Sequence, residues 1–415
     1  MKVFKFGGAS VKDIPGVKNV AFILQSYSQT PVVVVVSAMG KTTNALERIL
    51  NQFREGTDYR SELLMLKHFH ASIMDKLFGS GHEAFSRVEE LFHELESHLR
   101  KEVGYDQVYD QVVSYGELIS TVIVHQYVLS QKLPCSWIDA RDYISTDNTF
   151  REGKVDWEKT RLAIASLKTS LPANTFIITQ GFIGRAPDGN TTTLGRDGSD
   201  FSAAIFAACL DAESVTIWKD VPGVMNADPK KINTVTVFPE LPFQEAAEMT
   251  YYGASVIHPK TIRPLATQAI PLYVKNFDDP SLPGTKIHEC HIDDLPPLIV
   301  FKENQCLVSC KVTDYTFITE DHLRQIFSVL SELNIRINVM QNSAISFSFC
   351  FDFRESKLKA LLAKLKPYFE VYYNTGLTLV TIKNYDEATS DIYRGQAGVL
   401  LEQSSRSTLQ VLLRI

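Results

Sequence analysis

The stretch from Lys2 to Val36 constrains the fold more than any other part of the chain. Lys2 to Phe6 reads as a short strand that stops at Gly7-Gly8, where small residues let a ligand approach the backbone. Pro15 suits the first turn of a helix, and Val17, Val20, Ala21, Leu24 and Tyr27 recur at helical spacing until Thr30-Pro31 ends it. Val32 to Val36 is then an unbroken run of valine. A strand without polar alternation is buried on both faces, which is the state of a parallel strand between helix layers.

The βαβ rhythm continues. Residues 44 to 115 read as mostly helical, with Phe85, Val88, Leu91, Leu95 and Leu99 three or four apart. Strands are expected at Ser136 to Asp139, Thr175 to Thr179, Ser214 to Trp218 and Ile270 to Val274, with helices at Trp157 to Leu167 and Ser199 to Leu210 between them. Such alternation predicts an α/β domain, a mostly parallel sheet between helix layers. Its end is expected near residue 292, before the acidic, proline-containing stretch Asp293 to Pro297.

Beyond that point Gln305 to Val312, Arg336 to Met340, Ile345 to Phe353 and Phe369 to Tyr373 read as strands. Two amphipathic helices, marked by Leu323 to Leu333 and Leu358 to Leu365, lie between them. The order βαββαβ over 298–375 is a ferredoxin-like unit. The pattern restarts over 376–415 with strand, short helix, strand and strand, then stops, so the second copy is shortened.

Composition excludes several classes. With 42 Lys+Arg against 48 Asp+Glu, a net charge of −6 and no basic block, the chain lacks the charge pattern of a nucleic-acid binder. Val32 to Val36, an apolar run without a charge or turn signal, falls far short of the ~20 residues of a membrane span. The opening residues show no apolar export segment, which points to the cytoplasm. The six cysteines include no CxxC pair and the ten histidines show no zinc spacing, so free thiols are expected.

Four segments carry polar residues in patterns that chemistry uses. Ser37 to Thr42 resembles the end of a phosphate-binding P-loop, but the glycine that must open that motif is replaced by Val35, inside the strand. Five glycines lie between 181 and 198, followed by Ser199 and Asp200 at the start of a helix of small residues. This segment reads as a surface hairpin or as an anion site with a clamp (Arg196) and a carboxylate for Mg²⁺. Lys219 to Lys230 is a turn-rich loop that fits a nucleotide as well as a plain connection. His258, before Pro259, reads as a cap rather than a base.

In order, these segments resemble the aspartate kinases of the amino-acid kinase family. Lys5-Phe6-Gly7-Gly8-Ala9-Ser10, Val36-Ser37-Ala38 with Thr43-Asn44, and Ser114-Tyr115-Gly116-Glu117 are similar to the family's first three blocks. Thr179 to Gly184, Thr193 to Asp200, Trp218 to Val224 and Gly253 to Pro259 are similar to the remaining four. The C-terminal repeats resemble ACT domains, which bind regulatory amino acids.

The resemblance implies transfer of the ATP γ-phosphoryl to the side-chain carboxylate of L-aspartate, giving 4-phospho-L-aspartate, the first step towards lysine, threonine and methionine. It assigns Lys5 and Asp200 to catalysis, with Asp200 also organising Mg²⁺. Arg196 would clamp the α-carboxylate, Glu117 pair with the ammonium, Ser37 and Thr43 hold the side-chain carboxylate, and Phe182 and Ser199 complete the acceptor site. Lys5, Gly7, Gly8, Lys219, Asp220, Met225, Lys230 and Ser255 would face the nucleotide. Several of these depart from the family's usual Thr (Lys219), Tyr (Met225), Arg (Lys230) and Lys (Ser255). A homodimer and an effector such as lysine or threonine near Met340 to Ser343 are expected on the same grounds. The weighed alternatives are an amino-acid kinase for another carboxylate and a non-catalytic ACT sensor. A fused homoserine dehydrogenase is not expected, because the chain has no GxGxxG strand-to-helix signature.

Overall fold

The computed structural model describes residues 1–170, 175–254, 257–313 and 316–414, in two compact units. The first contains residues 1–224, 237–247 and 256–291; the second contains 225–236, 248–255 and 292–415.

In the first unit, β1 (Lys2–Phe6), α1 (Ile14–Gln25) and β2 (Val32–Val36) form the expected βαβ motif. Asp13 caps α1 by accepting the Gly16 N–H at 2.9 Å, and every residue of β2 is buried. Four helices follow: α2 (Thr42–Glu55), α3 (Arg60–Phe78), α4 (Glu83–Leu99) and α5 (Tyr105–Val113). Then come α6 (Tyr115–Ser130), β3 (Cys135–Trp137), α7 (Trp157–Ser170) and β4 (Phe176–Gln180). A hairpin of β5 (Ile183–Arg185) and β6 (Thr191–Thr193) precedes α8 (Gly198–Leu210) and β7 (Ser214–Lys219). The unit closes with β8 (Glu240–Pro242), the first half of α9 (Phe243–Tyr252), whose residues from 248 on are counted in the second unit, α10 (Pro259–Thr267), β9 (Leu272–Asn276) and β10 (Thr285–His288).

The eight strands run in the order β3-β4-β2-β1-β7-β9-β10-β8, parallel except where β10 runs antiparallel to β9. Helix α8 is buried on every side, and its small residues Ala203, Ala204, Ala207 and Ala208 let it lie close to β1, β2 and β7. Phe6 stacks on Trp218 at 6.1 Å, joining the side chains of β1 and β7. Tyr105–Ser130 is the one stretch long and apolar enough to cross a membrane among the described residues, and 83% of its apolar window is buried inside the protein. It is core helix. The six cysteines are free thiols.

The second unit is built on β11 (Leu298–Lys311), α11 (Glu320–Glu332), β12 (Val339–Asn342), β13 (Ser346–Asp352), α12 (Glu355–Leu365) and β14 (Glu370–Lys383). Next are α13 (Glu387–Arg394), β15 (Val399–Ser404) and β16 (Thr408–Leu413). One antiparallel sheet holds all six strands in the order β12-β13-β11-β14-β16-β15. Its first four places are the ferredoxin-like order. The strands expected separately at 369–373 and after 377 are one strand, β14, and β11 begins seven residues before the expected Gln305. That extra length matters: Leu298 to Lys302 pairs with Lys383 to Leu379, beside β16. The start of β11 thus flanks the end of β14 on the side away from β16.

Candidate active site

Three chain crossings meet at the carboxyl ends of β1, β2 and β4, the edge at which parallel α/β sheets place ligands. Glycines let the backbones touch. A Cβ on Gly8 would lie 2.6 Å from the Ala38 carbonyl oxygen, and one on Gly181 would lie 2.5 Å from Ser199 Cβ. Ser37 to Thr42 is not a phosphate loop; it folds back on β1, with the Gly40 N–H donating to the Gly8 carbonyl at 2.9 Å.

The cavity above these crossings measures about 690 Å³. Lys5, Gly8, Ser37, Thr43, Glu117, Phe182, Arg196, Ser199 and Asp200 all line it. Gly7 lies just outside, where a Cβ would stand 3.3 Å from Lys5 Nζ. The Lys5 ammonium is 2.6 Å from Asp200 Oδ1, and Lys219 Nζ is 3.9 Å from Oδ2. Both members of the closer pair are buried, Lys5 at 9% and Asp200 at 4% exposure. Removal from water weakens the Lys219 ammonium, whose pKa falls; neighbouring Asp200 opposes that fall and Lys5 adds to it. Asp200 occupies the first turn of α8, so the helix's unpaired amides open on the same space.

Glu117 stands on the first turn of α6, 3% exposed. Its Oε1 accepts the Ala38 N–H at 3.2 Å, while Oε2 has no hydrogen-bond partner among the described residues. Burial raises its pKa from 4.5 to about 8, against the Ala38 hydrogen bond and the charge of Lys5. The folded protein therefore holds a proton that the unfolded chain gives up at lower pH, so stability falls as pH rises from about 4.5 to about 8. Glu117→Gln abolishes that loss: its urea midpoint should exceed that of the parent at pH 8.5 and converge on it at pH 5. Equal midpoints at both values would contradict the burial reading.

The expected nucleotide-facing residues are less gathered. Asp220 is exposed and lines a separate cavity of about 380 Å³ with Lys12, Asp13 and Asp278. Met225 and the exposed Lys230 belong to the second unit, and Ser255 lies outside the described residues. His258 caps α10, its Nδ1 accepting the Lys260 N–H at 3.1 Å. Elsewhere Glu240, His288 and Cys290 place ligand-type atoms within 4.8 Å of one another, a proximity that the 2.9 Å His288–Glu240 hydrogen bond explains.

Sequence reasoning missed one wall of the cavity. Tyr109, Arg151 and Glu152 also line it, beside Thr193, which the motifs had marked. Buried Asp110 joins their loops, accepting the N–H groups of Arg151 and Thr193 at 2.8 Å each and the Thr193 hydroxyl at 2.8 Å. Asp110 sits on an ordinary amphipathic helix, and Arg151 in a polar connection without a motif; only the tertiary contact marks them.

A deep cleft at a parallel sheet's carboxyl edge, with a lysine paired to a helix-start aspartate, is a phosphoryl-transfer arrangement. The chain belongs to the amino acid kinase family, whose profile matches residues 1–276. Its relatives are more particular. Lysine-sensitive aspartokinase 3 of Escherichia coli is 30% identical over 92% of this chain and 87% of its own length. A chloroplastic bifunctional aspartokinase/homoserine dehydrogenase of Arabidopsis thaliana is 34% identical over 88% of this chain, which spans only 42% of that longer protein. The solved structure of E. coli aspartokinase III with aspartate and ADP covers 100% of this chain and 96% of its own, with 28% identity and a TM-score of 0.84.

Proposed function

We propose that this protein is an aspartate kinase, transferring the γ-phosphoryl of ATP to the side-chain carboxylate of L-aspartate. The observation that carries the reading is one cavity holding a buried carboxylate with an unpartnered oxygen (Glu117), a guanidinium (Arg196) and the Lys5–Asp200 pair. An amino dicarboxylic acid offers the complement of all three. Its ammonium beside Glu117 would favour the charged carboxylate and so reverse the effect of burial. Arg196, 79% exposed at its side chain, is positioned on the rim to meet an α-carboxylate.

The acceptor carboxylate has a pKa of ~3.9 and is ionised at neutral pH, so the reaction needs no general base. What remains is alignment and charge. Lys5, with the amides opening α8, faces the transferred phosphoryl; Gly7 and Gly8 admit it to the backbone; Ser37 and Thr43 hold the attacking carboxylate. The buried Asp200 carboxylate, an oxygen donor in a cavity that would take substrate phosphates, fits a Mg²⁺, and Asp200 is the residue that would hold it. Bound there, the ion would neutralise phosphate charge. Lys219, the last residue of β7, and Asp220 just after it are assigned to the nucleotide, as are Met225, Lys230 and Ser255 on resemblance.

Residues 1–292 are read as the catalytic domain, 298–375 and 376–415 as ACT repeats, joining two chains into a homodimer. A regulatory amino acid, lysine or threonine, is assigned to the neighbourhood of β12, whose Met340, Gln341 and Asn342 are exposed at a sheet edge. E. coli aspartokinase III has been solved with lysine and aspartate together.

The deciding experiment incubates the protein with Mg-ATP and hydroxylamine, which converts acyl phosphates to coloured hydroxamates. Aspartate-dependent hydroxamate, absent with glutamate, is the expected result. Hydroxamate from another acceptor alone would reassign the substrate, and none from a folded protein that binds ATP would refute the kinase reading.

A further inference from the structure

We infer that Arg151 is a second anion-reading guanidinium of the acceptor pocket, engaging a carboxylate of the amino dicarboxylic acid substrate; this rests on the proposed kinase function. Three independent features support it. First, the backbone is held in a conformation that arginine does not favour. Arg151 has φ of 67°, in the left-handed region, and is kept there by its own N–H donating to Asp110 Oδ2. The strain fixes where the side chain leaves the loop. A connection needing only to join β3 to α7 has no use for it.

Second, the guanidinium is oriented but not consumed. Its carbon lies 4.1 Å from the centre of the Tyr109 ring, a close cation–π contact, and 6.0 Å from that of Tyr105. Its carboxylate partners, Asp106 at 3.5 Å and Glu47 at 3.7 Å, are both at the long end of ion pairing and partly or fully exposed. Neither makes the short bidentate contact that would saturate a guanidinium. An incoming carboxylate therefore competes with weak, solvent-screened pairs.

Third, the loop of Arg151 touches the loop of Arg196. Gly195, at φ of 74°, is so close that a Cβ there would meet the Arg151 carbonyl oxygen at 3.2 Å. Gly153 donates its N–H to the Thr193 carbonyl at 2.8 Å, and both loops line the same cavity. With Arg151 and Arg196 lining one cavity, Arg151 would share the non-reacting α-carboxylate with Arg196, leaving the attacking carboxylate to Ser37 and Thr43, so its contact is the same before and during phosphoryl transfer. Such binding lowers KM and leaves kcat nearly unchanged.

Arg151→Gly tests this cleanly, because glycine adopts the left-handed conformation without strain and keeps the N–H that Asp110 accepts. In the hydroxamate assay the variant should show a KM for aspartate raised by about tenfold or more, with kcat and the KM for ATP each within about twofold of the parent. Millimolar guanidinium should restore part of the aspartate affinity, which a structural role would not allow. Arg151→Lys, keeping charge without the fork, should fall between. An unchanged KM for aspartate in a turning-over Arg151→Gly overturns the assignment alone, and a rise confined to the KM for ATP overturns it in favour of phosphate binding. A parent protein that forms no aspartyl hydroxamate overturns the functional reading and this assignment together.

Discussion

Replacing Asp200 by asparagine lowers kcat by about 10³-fold and leaves the fold intact, as does replacing Lys5 by methionine. The Lys5 ammonium owes its position to the 2.6 Å contact with Asp200, in a site that excludes most water. A charge fixed there acts on developing phosphate charge at low effective dielectric, without reorganising during the reaction. Each substitution leaves one buried charge facing a weaker partner, so some loss of stability accompanies both. The measurement is steady-state hydroxamate formation, with circular dichroism and nucleotide affinity as controls. Because the two residues act as a unit, the double variant should be scarcely slower than either single one. Full additivity, or near-parental kcat in either variant, would remove the pair from the chemistry.

Gly8→Ala has the second large effect, at the cost of a single methyl group. Its Cβ would lie 2.6 Å from the Ala38 carbonyl oxygen and 3.1 Å from that of Gly40, both backbone atoms that cannot rotate away. The loop bearing Ser37 and the start of α2, bearing Thr43, must then shift relative to Lys5. Displacements near 1 Å in a positioning site cost about 10²-fold in rate, and the strain itself costs roughly 1–3 kcal/mol. kcat/KM and the urea midpoint read these two effects separately. Gly104→Ala is the control for rate: nothing lies within 4 Å of its Cβ, and kcat/KM should not change.

How much of this was legible depended on where the pairing partner lay. β1, α1 and β2 were readable because burial on both faces makes an apolar run and one-sided burial makes a 3.6-residue period, both local signals. The glycine segment of 181–198 was ambiguous. Its hairpin could have been a surface loop, yet Thr191, Thr192 and Thr193 are buried at 4% exposure or less, covered by α5 and Asp110 from far back in the chain. β8 and β10, three and four residues long, are held in the sheet by register with each other and with β9, leaving no periodicity to detect. Most of the cavity's lining was legible through its ordered motifs. Arg151 was not, because its meaning comes from Tyr109 below it and Asp110 behind it.

The strand that Leu298 to Lys302 lends to the last strands of the chain makes the C-terminal unit a dovetail rather than a string of beads. The tail from residue 376 cannot be deleted or exchanged as a cassette, since β11 would keep an unpaired apolar end. The segment 225–236 is locked into the same joint: the Ile299 N–H donates to the Asn226 carbonyl at 2.8 Å, and Lys231 pairs with Glu303. Substitutions in the last forty residues are thus constrained by residues that precede the first repeat's helices, and descent should preserve these distant stretches together or not at all.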